Sequence, residues 1–316
     1  MTENRTFADL FSGYGGATTG FISAGYKPVF AIDNNPDAVE TYINNFGNHC
    51  LEKDVCEFDY SRVKVDHLHV STSCKEFSPA NHRNSETEIA IRCAKAVCRA
   101  IVQISPRTFS LENVKQYADS ESFKLIKICL RVHGYACNIV IVNAKDFGVP
   151  QSRERLILRA WKKELRRPKP LWLWKIDDRI SWYDAIADLI PTLKPQILNT
   201  WQLASLKEQG IDPANLTALV SKDGSRKKKG FWNTFALVVP PEKPCPTLKA
   251  LGGSQHCQQY SIVVNGVGYR ISTEAISRLM SFPDSYKFSG INYKDCMGLG
   301  NAVPPLLAKA IAESFS

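Results

Sequence analysis

The stretch TFADLFSGYGGATTGFISAGYKPVFAID, Thr6 to Asp33, decides the fold. The apolar run TFADLF gives way to a turn containing Gly13, Gly15 and Gly16. The helix-like ATTGFISAGY follows, and then a second apolar run, KPVFAID, that ends on an acid. Strand, glycine turn, helix and strand in that order open a parallel, doubly wound sheet. The turn DLFSGYGG, Asp9 to Gly16, lets backbone N–H groups approach the polar end of a ligand at the start of a helix. A tight bend also needs glycine for steric reasons alone. Asp33 is placed where an acid would bind a ribose, and equally where it would cap the helix begun by NPDAVETY.

Outward from this stretch the alternation continues. VDHLHVSTS and RTFSLEN read as strands, ETEIAIRCAKAVCRAIVQI and SESFKLIKICLRVHG as helices, and ACNIVIVNA and RERLILRAW as further strands. Residues 1–161 are therefore expected to form one α/β domain. At KKELRRPKPLWLWK the periodicity fades while Pro, Trp and basic residues rise, so residues 162–268 are expected to form a second, smaller domain. Helical patterns resume from TEAISRLM to GLGNAVPPLLAKAIAESF, so residues 269–316 are expected to return and pack on the first domain.

The chain has 316 residues, 44% of them hydrophobic, and 40 Lys and Arg against 31 Asp and Glu, for a net charge of +9. That excess suits a polyanionic partner such as nucleic acid. Ten cysteines without CxxC spacing argue against a zinc site and for free thiols in a reducing compartment. No N-terminal apolar h-region or long uncharged apolar run is present, so a soluble, cytoplasmic protein is expected, with no membrane contact and no metal.

Three segments carry chemistry. STSCKEFSPANHR, Ser71 to Arg83, sets Cys74 between a serine and a lysine, as a candidate nucleophile or a small buried hydrophobe. Glu112 ends the strand RTFSLEN, at the carboxyl edge where open α/β folds place ligands, though a surface cap would look the same. In QSRERLIL, Arg153 and Arg155 alternate along a strand and share one side, which fits a solvated edge or a held anion or carbonyl.

Taken in order, DLFSGYGG, AID, SCKEFSPA, LENV, QSRERLIL and GNAVPPLLAKAI resemble the DNA cytosine-C5 methyltransferase family, and the resemblance spans everything except the insert. It implies a Rossmann-like methyltransferase sheet with a smaller target-recognition domain, S-adenosylmethionine as cofactor, and DNA as partner of a monomeric enzyme. It assigns Cys74 as the nucleophile that adds to C6 of a flipped cytosine. Glu112 holds N3 and N4 of the base, Arg155 donates to O2, and Arg153 braces the loop carrying the cysteine. For the cofactor it implies Phe11 against the adenine, Gly13 and Gly15 beneath the methionine, and Asp33 on the ribose, with Asn34 next to it as a further cofactor-binding residue. Asp54 and Val55 meet the adenine, and Asn301 and Val303 close the site.

The sequence departs from that family at the nucleophile, where Ser73-Cys74-Lys75 replaces Pro-Cys-Gln. Loss of the proline leaves the loop less preorganised. Lys75 can compensate by favouring the thiolate, or can hold a phosphate of the target strand. The same departure suits a catalytically silent DNA-binding protein of this fold, and an RNA cytosine-C5 methyltransferase is a further alternative. In the insert, RRPKP and SRKKKG offer phosphate contacts, and Trp232, Asn233, Gln255 and Gln258 are candidates for base contacts. Thr247 and Leu248 resemble the Thr-Leu pair that the family carries late in this region.

Overall fold

The computed structural model describes residues 5–72, 86–176, 178–222, 236–250 and 260–316. Two compact units divide the chain: residues 1–147, 153–176 and 302–316 form the first, and 148–152 with 177–301 the second.

The first unit is built on a seven-stranded sheet. Its strands are β1 (Thr6–Leu10), β2 (Lys27–Asp33), β3 (Cys50–Glu52), β4 (His67–Val70), β5 (Thr108–Asn113), β6 (Tyr135–Asn143) and, after the two-residue β7 (Gln151–Ser152) of the second unit, β8 (Glu154–Lys162). They lie in the order β3-β2-β1-β4-β5-β8-β6. Pairings from β3 through β5 are parallel, while β8 runs antiparallel to both β5 and β6. The expected fold is thus present with one reversed strand. Asn143 at the end of β6 pairs with Glu154 at the start of β8, and so short a link cannot carry the crossover that a parallel partner requires.

Helices α1 (Gly16–Ser23), α2 (Pro36–Phe46), α3 (Glu88–Ile104) and α4 (Glu121–Val132) separate the strands. Side chains alternate across the sheet. Ala8, Leu10, Leu68, Val70, Phe109 and Leu111 join one buried cluster with Val97, Ala100 and Ile101 of α3 and Phe123, Ile126 and Leu130 of α4. From the opposite face of the sheet, Phe7 stacks on Phe21 of α1 at 4.9 Å, and Phe21 also covers His67 and His69 at 4.8 and 5.3 Å. Both imidazoles are fully buried and share Ser110: His67 Nε2 and His69 Nδ1 each lie 2.8 Å from its Oγ. Helix α1 also meets the last helix of the chain, where a side chain at Gly20 would collide with the Pro305 carbonyl and Ala308.

The second unit holds α5 (Trp182–Ile186), α6 (Thr200–Glu208), β9 (Ala218–Lys222), β10 (Ala236–Val239), β11 (Cys245–Pro246), β12 (Tyr260–Val264), β13 (Val267–Arg270), α7 (Thr273–Leu279) and α8 (Asn292–Asn301); α9 (Pro305–Glu313) returns to the first. Its sheet, β10-β9-β12-β13, is antiparallel, and Leu198, Leu206, Val220 and Val263 fill its core.

The contacts do not divide the chain at 161/162 and 268/269. Residues 162–176 stay on the first unit: Arg159 Nη1 donates to the Lys169 carbonyl at 2.6 Å, Lys169 N to Ser314 O at 2.8 Å, and Ile176 N to Asp146 O at 2.9 Å. Residues 269–301 belong to the second, where Arg278 pairs with Asp188 and Asp284 and Gln151 Nε2 lies 3.1 Å from Met280 Sδ. Composition marks the change of periodicity, whereas these long-range bonds set where the chain goes. Among the described residues no helix is long and apolar enough to cross a membrane.

Candidate active site

At the end of β1 the backbone turns through three left-handed residues, Phe11 (φ 58°), Gly13 (φ 51°) and Gly15 (φ 67°). Glycine takes such angles freely; for Phe11 they are strained, and strain of this kind gathers at functional sites. Two neighbours fix the turn. Gly15 N donates to Ser12 O at 2.9 Å, and Gly13 N donates to Asp33 Oδ2 at 2.9 Å. A β-carbon on Gly15 would strike Phe46, whereas one on Gly13 would meet nothing within 4 Å, so the turn is packed on one side and open on the other.

Asp33 ends β2 beside this turn. Its second oxygen, Oδ1, accepts from Asn35 N at 2.9 Å. The helix cap is Asn35, whose side chain accepts from Asp37 N at 3.1 Å, so Asp33 is left to face the turn. Burial raises the Asp33 pKa, and the N–H groups of Asn35, Gly13 and Asn34 oppose that rise. Asn34 itself is exposed. Beneath the turn, Asp9 is fully buried; its Oδ2 accepts from Thr18 Oγ1 at 2.8 Å, and desolvation pushes its pKa to about 7. In the sequence Asp9 is only the first residue of the DLFSGYGG motif, and nothing there marks an acid inside a strand as buried.

Asp54 Oδ1 accepts from Cys56 N at 2.8 Å, closing the turn after β3. Val55 is 2% exposed and lies in the main core cluster, so its side chain serves packing and only its main chain can meet a ligand. Val303 is buried in the first unit; Asn301 is exposed at the end of α8 in the second.

At the carboxyl end of β5, Glu112 Oε1 lies 2.8 Å from Arg155 Nε, an ion pair between side chains only 8% and 9% exposed. Among the described residues Glu112 Oε1 accepts no hydrogen bond, so the contact is an ion pair more than a directed hydrogen bond. Arg155 Nη1 donates to the Glu154 carbonyl at 2.6 Å. Arg153, which precedes β8, is buried as well, and its Nη2 donates to Ala302 O at 3.0 Å. The two arginines thus serve different partners.

The next residue, Asn113, is in sequence only the last of the strand RTFSLEN. Its Nδ2 donates to Thr72 Oγ1 at 2.8 Å and to Thr72 O at 3.2 Å, joining the end of β5 to the residues that follow β4. An asparagine after a strand looks like a turn former, and nothing local announces the cross-strand bond. Cys74, with Ser73 and Lys75, lies outside the described residues, as do the SRKKKG run, Trp232, Asn233, Gln255 and Gln258. Thr247 Oγ1 donates to Ser152 O at 2.8 Å, and Leu248 is fully buried.

A glycine turn paired with a strand-end acid, and a buried Glu–Arg pair at the same sheet edge, occur here in a chain whose residues 5–316 match the C-5 cytosine-specific DNA methylase family. The chain belongs to that family. The methylase is 27% identical to the type II methyltransferase M1.HphI of Haemophilus parahaemolyticus, over 98% of this chain and 86% of that one. It is 26% identical to M.DdeI of Desulfomicrobium norvegicum, over 98% and 88%. In fold it is similar to the S. pombe Dnmt2 methyltransferase, with a TM-score of 0.68 and 17% identity over 98% and 96% of the two chains. The methylase is therefore a DNA cytosine-C5 methyltransferase on a Rossmann-like sheet.

Proposed function

We propose that the methylase carries a methyl group from S-adenosylmethionine to C5 of cytosine through a covalent adduct between Cys74 and C6 of a flipped base. The observation that carries this reading is the buried Glu112–Arg155 pair at the carboxyl edge, set beside the Asn113–Thr72 bond two residues before Cys74.

The residues at the glycine turn fit the cofactor. Gly13 opens onto free space, and the N–H groups of Gly13 and Asn35 aim the Asp33 carboxylate, whose remaining lone pairs can accept ribose hydroxyls. Phe11, Asp54 and the main chain of Val55 border the adenine side, Asn34 follows Asp33 in the chain, and Gly15 supports the turn; the family resemblance adds Asn301 and Val303 to the set. S-adenosylmethionine, when bound, supplies the methyl group.

On the base, the Cys74 thiolate forms the S–C6 bond, and the C5=C6 electron pair moves to C5, which takes the methyl. Loss of the C5 proton then re-forms the double bond and expels the thiolate. Glu112 binds the N3 and N4 edge and stabilises the positive charge that grows there. Arg155 offers O2 its Nη2, the guanidinium nitrogen left over once Nε faces Glu112 and Nη1 the Glu154 carbonyl. Arg153 steadies the approach to the Cys74 segment. The type II relatives extend the reading to modification of a fixed DNA site that guards against a restriction activity.

Transfer of tritium from labelled cofactor to DNA and to RNA tests the reading, together with duplex carrying 5-fluorocytosine. Label should enter DNA, and the fluorinated duplex should be trapped by the wild type and not by Cys74→Ser. Methylation without an adduct, with full activity in the serine variant, would overturn it. Site-specific binding without transfer would point to a silent DNA-binding protein.

A further inference from the structure

The end of the sheet opposite Glu112 carries a cluster of arginines. Where β1, β4 and β5 begin, Arg5, Arg107 and Arg166 border a hollow of about 490 Å³, with Tyr26, Asp66 and Phe315 among its other walls. The reversed β8 brings the chain here: Trp161 pairs with Thr108 at the start of β5, so the segment after β8 emerges at this edge and not beside Glu112.

Two of the charged groups are occupied. Asp66 Oδ2 accepts from Thr6 N and Thr6 Oγ1, both at 2.9 Å. Arg5 Nη1 donates to Ser316 Oγ at 2.8 Å, and its guanidinium lies 5.5 Å from the centre of the Tyr26 ring. Arg107 and Arg166 are exposed, and among the described residues neither has an ion pair or a side-chain hydrogen bond. The positive charge extends past the hollow: KKELRRPK, Lys162 to Lys169, sets Lys162, Lys163, Arg166, Arg167 and Lys169 against Glu164 alone. Arg167 is close enough to Arg159 to add to the burial that pushes that guanidinium down to about 10.

Unpaired guanidiniums bind phosphate through paired N–H donors. A cationic row that runs beyond the hollow suits a repeating anion better than one small phosphate. We propose that this edge is a second phosphate-backbone surface, gripping duplex DNA outside the target site. The proposal rests on the DNA methyltransferase reading. Five steps along the strand, from Arg107 to Glu112, hold this edge roughly 17 Å from Glu112, so the phosphates gripped here belong to a different segment of DNA from the one presenting the cytosine. Such contacts raise affinity for every sequence alike.

The test compares wild type with the double variant Arg107→Gln, Arg166→Gln, by titrating binding to a long duplex against salt. Each lost phosphate contact lowers the slope of log affinity against log salt by about 0.9, so the slope should fall by about 1.8. Turnover on a short duplex carrying one target site should be unchanged. A second variant, Lys124→Gln with Arg131→Gln on α4, removes the same charge elsewhere and should keep the wild-type slope.

Equal slopes for wild type and the first variant would overturn the proposal, as would an equal fall in both variants. Stabilisation of the wild type by inorganic phosphate, lost in the first variant without a change of DNA slope, would assign the hollow to a free phosphate instead. Methylation lost from the wild type while the slope difference persists would sink the catalytic reading and keep this surface. If the first variant misfolds, Arg107→Ala and Arg166→Ala measured singly should each lower the slope by about half as much.

Discussion

Arg155 Nε lies 2.8 Å from Glu112 Oε1 across two antiparallel strands, with both charges nearly withdrawn from solvent. Breaking such a pair leaves one buried charge uncompensated, at a cost of about 3 kcal/mol or more. Arg155→Met and Glu112→Gln should each lower the urea-derived unfolding free energy, and the double variant should lose less than their sum. Strict additivity would mean that the pair is not coupled. Glu112→Gln should also bind cofactor normally while single-turnover methylation falls on the order of a hundredfold. A collapse of cofactor affinity in that variant would make Glu112 structural.

Asp33 takes N–H groups from both Gly13 and Asn35, so it shapes the turn as well as facing the ligand. Asp33→Ala should weaken S-adenosylmethionine binding by roughly tenfold to a hundredfold, as expected for losing one or two charge-assisted hydrogen bonds. Binding calorimetry reads this directly. Unchanged affinity would remove Asp33 from the cofactor site.

The buried histidines and Asp9 pull the pH dependence of stability in opposite directions. Burial holds His67 far below its ordinary value and His69 at about 3, so both remain neutral in the folded protein. Below pH 6.5 the unfolded chain takes up two protons at these sites that the folded chain refuses, and stability falls with pH. Asp9, raised to about 7, keeps a proton when folded that the unfolded chain loses above its ordinary 3.8, and this opposes the fall. Between those limits one proton separates the two states, or about 1.4 kcal/mol per pH unit from the three groups together. Asp9→Asn should double their combined slope in chemical denaturation between pH 6 and 4, to about 2.7 kcal/mol per unit. An identical slope in that variant would mean that Asp9 ionises in the fold as it does in water.

At Gly20, helix α1 meets the Pro305 carbonyl and Ala308 with no room for a β-carbon. Gly20→Val should lower the unfolding free energy by about 3 kcal/mol through overpacking, measured by thermal or urea unfolding. A neutral result would show that α9 can shift away at little cost.

Much of the first unit is legible in the sequence because its signals are local. Gly13 and Gly15 mark the turn, the apolar run TFADLF marks the strand, and the apolar spacing of Ala94, Val97, Ile101 and Ile104 marks α3. What the sequence hides depends on partners far along the chain. The reversal of β8 is set by its link to β6, not by anything in RERLILRAW. The RRPKP run reads as part of the recognition region by composition, but the Lys169–Ser314 bond holds it on the first unit. The Asn113–Thr72 bond and the Val55 side chain in the core have no local signature either.

The seating of α9 against α1 has a consequence for the order of synthesis. A ribosome delivers the glycine turn and the α1 face at Gly20 and Phe21 early, and Pro305 to Glu313 late, so the apolar surface of α1 waits uncovered through most of translation. Residues 148–152 and 177–301 are complete before then. The second unit can therefore mature on the ribosome while the first remains open, a long-range closure of the kind that folds slowly and aggregates readily. Stalled nascent chains ending before Pro305 should show protease-resistant second-unit fragments beside a sensitive α1. Equal resistance of both would mean that the sheet forms without its final helix.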